Sequence, residues 1–256
     1  MATLFCEQAG IYALARPRYP AQLYKLLASL SKGHKKAWDV GTGNGQAAVG
    51  LADYYEEIIA TDVSTEQLRY AEARPNITYA ATSAGALTPT EVARVVGEPQ
   101  CLDLITVAQA VHWFDLPSFY SHAQRLLKPG GIIAVWCYTN PEVNPKVDKI
   151  LLNMFEKSLP FWEPALDLVY DGYQNLHFPF QPALPGQPIR MDATKETNLE
   201  GYLGFLESWS GLNTARRMGY ELMDTHVKQA FQQAWGSPSQ THTVTFPLYM
   251  RVGSPL

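Results

Sequence analysis

The stretch DVGTGNGQ, residues 39–46, decides how this chain is read. Gly41, Gly43 and Gly45 recur at every second position behind the short apolar run KKAWDV, residues 35–40. Such spacing marks a strand-to-helix turn whose backbone passes close to another group. The dinucleotide fingerprint G-x-G-x-x-G aims a helix N-terminus at a pyrophosphate. Counted from Gly41, its last position falls on Gln46; counted from Gly43, it falls on Ala48, so the strict pattern is missed in both registers. Asp39 ends the strand just before the loop, where a carboxylate suits a cation and repels a diphosphate. Asp62 ends the next strand, where an acidic side chain accepts both ribose hydroxyls of a nucleoside. Together these residues describe a nucleoside with a positive, phosphate-free tail.

Outward from the loop, apolar runs alternate with helical patterns. Residues 45–55 have helical spacing, 56–64 read as a strand, and 64–74 as the next helix. Ser64 and Gln67 have capping-box spacing at the start of that helix. Residues 76–84, 101–110 and 131–138 read as further strands, with helices at 88–97 and 116–127 between them. CLDLITVAQA, residues 101–110, is nearly all apolar, as a strand covered on both faces requires. This rhythm predicts a mostly parallel sheet with helices on both faces. After Tyr138 it breaks. Eight prolines fall between Pro141 and Pro188, which excludes one long helix. The aromatics among them predict a packed cap. Helical patterns return at 198–209 and 220–235, and 241–253 reads as a last strand. Pro247 within it predicts an edge position or a bulge.

Composition narrows the class. The 256 residues are 46% hydrophobic and 17% charged, which is globular. The net charge is −4 and the largest basic cluster is HKK at 34–36, so nucleic acid is not an expected partner. No apolar run approaches the ~20 residues of a membrane span. The N-terminus shows no signal-peptide pattern, so a soluble protein of the cytoplasm is expected. Cys6, Cys101 and Cys137 are scattered, with neither CxxC nor Cys/His ligand spacing, so no metal is expected.

DVGTGNG at 39–45 resembles motif I of the class I S-adenosylmethionine-dependent methyltransferases, and ATDVS at 60–64 resembles their acidic strand end. VAQAVHWFD at 107–115 and RLLKPGGIIAVW at 125–136 are narrower. With YALARPRYP at 12–20 and FLESWSG at 205–211, they resemble the branch of small-molecule enzymes that includes trans-aconitate methyltransferase. The resemblance implies a Rossmann-like α/β fold with a seven-stranded sheet and an inserted cap. It implies a lid segment at 1–36, a cofactor core at 37–139, a cap at 140–211, and a C-terminal helix and strand at 212–256. It also implies S-adenosylmethionine as cofactor. Gly41, Thr42, Gly43 and Gly45 would approach its methionine part, with Asp39 near the ammonium. Asp62 would take the ribose, Val63 would lie against the adenine, and Ser83 and Ala84 would flank that ring. Gly85 stands where many relatives carry an acidic residue beside the adenine. Gln109 and Ala110 would sit beside the methyl group, and Tyr12 and Arg16 would close over the cofactor, with Arg16 on the carboxylate of the cofactor or of the substrate.

Methyl transfer from a sulfonium needs alignment more than acid–base chemistry, and alignment alone is worth ~7–11 kcal/mol in favourable cases. His112 is the candidate catalytic residue, as a base for a hydroxyl acceptor or a hydrogen-bond donor to a carboxylate. The expected reaction is O-methylation of a small-molecule carboxylate. A phenol, nitrogen or carbon acceptor, and a non-catalytic cofactor-binding protein, are the alternatives. The expected chain is a monomer or homodimer. A nicotinamide-dependent oxidoreductase is disfavoured by Asp39 and the glycine spacing.

Overall fold

The computed structural model describes residues 16–83 and 88–256. Strands β1 (Lys36–Val40), β2 (Glu57–Asp62), β3 (Ile77–Ala81), β4 (Leu102–Ala108) and β5 (Leu127–Tyr138) form the parallel part of the sheet. Three further strands are antiparallel additions: β6 (Gln181–Pro182), β7 (Ile189–Thr197) and β8 (His242–Ser254). The order is β3-β2-β1-β4-β5-β8, with β6 and β7 both pairing along β8, so eight strands fill seven positions. Strand order reverses beside β1, which lies between β2 and β4. Open α/β sheets bind ligands at the carboxyl ends of strands at that reversal.

Alternation along each strand explains the two-faced core. Trp38, Val40, Ile105, Val107, Ile133 and Val135 pack on one face, with Val92, Phe119 and Ala123 from helices α4 (Pro89–Val95) and α5 (Leu116–Leu126). Ala37, Leu104, Ile132, Ala134 and Trp136 point the other way, against helices α1 (Ala21–Leu30) and α2 (Gln46–Leu51). Helix α3 (Thr65–Arg69), which follows β2, is only five residues long.

The region of many prolines contains helix α6 (Pro145–Ser158). Pro145 occupies its first turn, where a missing N–H costs nothing, and Asn144 Oδ1 accepts from the Lys146 and Val147 amides. The short α7 (Asp167–Tyr170) follows, then β6 and β7, then helices α8 (Leu199–Glu207), α9 (Ser210–Arg217) and α10 (Thr225–Trp235). Helices α6, α8, α9 and α10 share a third core with β7 and β8, built on Tyr202, Phe205, Trp209, Phe231 and Phe246.

The structure departs from the sequence reading at three strands, and the two-residue β6 was not expected. β7 was not expected; its alternation, with Ala193 buried and Arg190, Asp192 and Thr194 exposed, is the signal for it. Nor is β8 an edge strand: it lies between β5 and β7. Pro247 is tolerated because its carbonyl, which accepts from the Thr139 amide at 3.0 Å, faces the side where β5 has already ended at Tyr138. The ring nitrogen faces the same way, so no ladder donor is lost.

Candidate functional site

The loop after β1 is a left-handed turn at all three glycines, with φ of 66° at Gly41, 58° at Gly43 and 84° at Gly45. A Cβ on Gly41 would stand 2.7 Å from the Ala110 methyl, so the loop and the end of β4 touch backbone to side chain. Gly41→Ala therefore combines a disfavoured φ with a clash. It should cost roughly 1–3 kcal/mol of stability in urea denaturation. No atom lies within 4 Å of a Cβ built on Gly43, which borders open space.

Two carboxylates hold this loop from opposite sides. Asp39 is fully buried, and its oxygens accept from the Thr42 hydroxyl at 2.5 Å and the Thr106 hydroxyl at 2.7 Å. Burial pushes its pKa up from 3.8 to about 6, although those hydrogen bonds pull it down. Asp62 accepts from the Gly43 amide at 2.7 Å and the Ser64 amide at 2.8 Å. The Thr42 amide donates to the Thr61 carbonyl at 2.9 Å, which completes the tie between loop and β2.

The glycine loop and Asp62 border a cavity of about 470 Å³. Its wall includes Gly41, Thr42, Gly43, Asp62, Val63, Ser83, Gln109, Ala110 and Arg16, all singled out in the sequence. Val63 is half exposed there. Gln109 holds a positive φ of 56°, its amide bonded to the Trp136 carbonyl at 2.9 Å and its Nε2 to the Tyr138 carbonyl at 3.3 Å. A left-handed residue other than glycine costs energy, and such strain concentrates at functional sites. Arg16 Nη1 donates to the Tyr138 hydroxyl at 2.8 Å, and the guanidinium lies 5.1 Å from the centre of the Phe205 ring. Tyr12 and Ala84 lie outside the described residues.

Four expectations need correction. Gly45 is not on the cavity wall; its backbone packs against the Tyr79 side chain. Asp39 is not on the cavity wall; it sits beneath the loop with both oxygens engaged, so it supports the turn instead of facing a ligand. His112 does not line this cavity either. It lies in a 3-10 turn, Val111–Trp113, that presents Trp113 to the cavity and buries the imidazole, whose Nδ1 is 3.0 Å from the Tyr173 hydroxyl. Burial lowers its pKa from 6.5 to about 4, so the ring is neutral and weakly basic at neutral pH. Tyr173→Phe removes one partner of this buried bond and should cost about 1–3 kcal/mol in chemical denaturation. Fourth, Ser83 spends its amide and hydroxyl on Glu91, at 2.8 and 2.5 Å, so neither points to a ligand.

Sequence reasoning missed Tyr19, Gln67, Ser118, His122 and Tyr138, which also border the cavity. Ser118 and His122 stand one turn apart on α5, a spacing that places both on one face. Nothing local marks Tyr138; it reaches the site because β5 ends beside the β4 turn.

A buried acid under a glycine turn and a second acid joining that turn to the next strand thus shape one side of the cavity, with Val63 beyond them. Comparison with known proteins gives the family. The profile of the family described as "Methyltransferase domain" matches residues 38–135. A Dictyostelium discoideum protein classed as a methyltransferase is 28% identical over 249 residues, covering 93% of this chain and 90% of its own length. A solved Anaeromyxobacter dehalogenans structure classed as a type II methyltransferase is 32% identical, with a TM-score of 0.82 over 94% of this chain and 98% of that one. An Aspergillus terreus methyltransferase is 29% identical over 213 residues, and the chain spans 61% of its length. The chain belongs to the class I S-adenosylmethionine-dependent methyltransferases. Its cofactor is S-adenosylmethionine.

Proposed function

We propose that this enzyme methylates a carboxyl oxygen of a small-molecule acid. The supporting observation is Arg16, whose guanidinium borders the cavity against Tyr138, on the side where Gln109 ends the fourth strand. A guanidinium binds a carboxylate through two parallel donors. No metal-ligand cluster occurs among the described residues. Also among them, no helix is long and apolar enough to cross a membrane. We place the reaction in the cytoplasm, with a monomer or homodimer as the working unit.

In this reading Asp62 accepts the ribose hydroxyls through lone pairs left beside its two amide contacts. Val63 supports the adenine, and the backbone at Gly41–Gly43 lies along the amino-acid tail. Asp39 acts through the loop, by fixing Thr42. Gln109 and Ala110 border the reacting end. When bound, S-adenosylmethionine supplies a methyl group already activated on a sulfonium. A carboxylate acceptor is ionised at neutral pH and needs no base. Arg16 orients it, and the aromatic wall of Tyr19, Trp113 and Tyr138 excludes water. Orientation carries the rate. That aromatic wall also favours a second reading, a flat phenolic acceptor.

Turnover on panels of small carboxylic acids and phenols, followed by release of S-adenosylhomocysteine, distinguishes the two. A carboxylate substrate should show kcat/KM without an inflection between pH 7 and 8, where His112 is neutral and Asp39 ionised. Arg16→Gln should raise its KM at least about tenfold, the loss of one charge-assisted contact. Turnover of phenols alone, insensitive to Arg16→Gln, would contradict the carboxylate reading.

A further inference from the structure

Gln67 has lost the partner that its sequence position promises. In a capping box the serine oxygen accepts from the third helical amide, and the glutamine side chain reaches back to the serine amide. Half of this forms: Ser64 Oγ accepts from the Gln67 amide at 3.2 Å. The other half is displaced, because the Ser64 amide donates to Asp62 Oδ1 at 2.8 Å. The carboxylate is the stronger acceptor. The Gln67 side chain is thereby left on the cavity wall at 6% exposure, with no hydrogen bond from its carboxamide among the described residues. Its polar atoms still reach the solvent of the cavity, where a ligand can take up both the acceptor and the donor.

The position of Gln67 indicates which part of the ligand it meets. It stands one turn beyond Val63 on α3, the helix that packs on β2 and β3. Thr82 and Ser83, which continue β3, border the same cavity. Both polar groups of Ser83 are already bonded to Glu91, so it has no amide or hydroxyl proton left to offer. A carboxamide carries an acceptor and a donor side by side. Adenine offers the complementary pair, an exocyclic amino donor beside a ring-nitrogen acceptor.

We propose that Gln67 reads the edge of the cofactor's adenine. Its oxygen accepts from the exocyclic amino group, and its NH2 donates to the adjacent ring nitrogen. The inference rests on Asp62 holding the ribose, which places the base over Val63 and toward α3. Gln67 is then a specificity residue for the base.

Calorimetry on the full-length protein tests this with two probes, S-adenosylhomocysteine and S-inosylhomocysteine, whose carbonyl replaces the exocyclic amine. The wild type should prefer the adenine compound. Gln67→Leu keeps the side-chain size and leaves the backbone bond to Ser64 Oγ intact. It should bind S-adenosylhomocysteine at least about tenfold more weakly and lose most of the preference between the two probes. Gln67→Glu keeps the acceptor and loses the donor, so it should fall in between. A Gln67→Leu protein that keeps the wild-type ratio of the two affinities would overturn the assignment, even if both affinities drop. Wild-type protein that binds neither probe would overturn the placement of the cofactor itself.

Discussion

Asp62→Ala should lower the affinity for S-adenosylhomocysteine at least about 100-fold, measured by calorimetry. The carboxylate has two tasks in one geometry. It accepts from the Gly43 amide at 2.7 Å and the Ser64 amide at 2.8 Å, which holds the glycine turn against the start of α3. In the proposed complex its remaining lone pairs take the ribose hydroxyls. Hydrogen bonds to a charged acceptor are worth about 1.5–3 kcal/mol each, so losing two exceeds the ~2.7 kcal/mol that a hundredfold drop requires. Asp62→Asn should fall between the two proteins, because its amide keeps one acceptor and turns a donor toward an N–H. An Asp62→Ala protein within threefold of wild type would show that the ribose is held elsewhere.

The second large effect concerns stability, and it comes from Asp39. Burial raises its folded pKa from 3.8 to about 6. Between those values the folded chain holds a proton that the unfolded chain has released, so the contribution of Asp39 to stability falls as pH rises through the window. About two pKa units correspond to about 3 kcal/mol. His112 works in the opposite direction. Its folded pKa is lowered from 6.5 to about 4, so its contribution is lost as pH falls through that range. The two slopes overlap and mask each other in the wild type. Asp39→Asn removes one of them, and the Thr42 and Thr106 hydroxyls can turn to meet an amide. The variant should equal wild type near pH 4 and exceed it by up to about 3 kcal/mol at pH 7, in urea denaturation of the ligand-free protein. A deficit that does not change with pH would contradict the buried, ionised carboxylate.

Much of this architecture was legible because it is local. The apolar runs of β1, β2, β4 and β5 and the glycine turn each follow from a few adjacent residues. Asp62 was legible because its place at the end of β2 depends only on strand length. The rest depends on contacts between distant segments. Asp39 was read as facing a ligand, but its two oxygens are held by Thr42 in the loop and by Thr106, on a strand 67 positions away. His112 follows β4 at the carboxyl end of the sheet, where an active histidine belongs; Tyr173, 61 positions further on, takes its Nδ1 and burial makes it neutral. Gln67 fits its capping box in sequence, and only the reach of Asp62 to the Ser64 amide releases it. Strand β7 hid among the prolines of the cap because its alternating residues are mostly polar.

A crystal structure of the protein with S-adenosylhomocysteine tests the central claim most directly. The ribose hydroxyls should lie within hydrogen-bond distance of Asp62, the adenine against Val63, and the sulfur beside Gln109 and Ala110. A nucleoside bound away from Asp62, or one with its sulfur turned from the end of the fourth strand, would contradict the account.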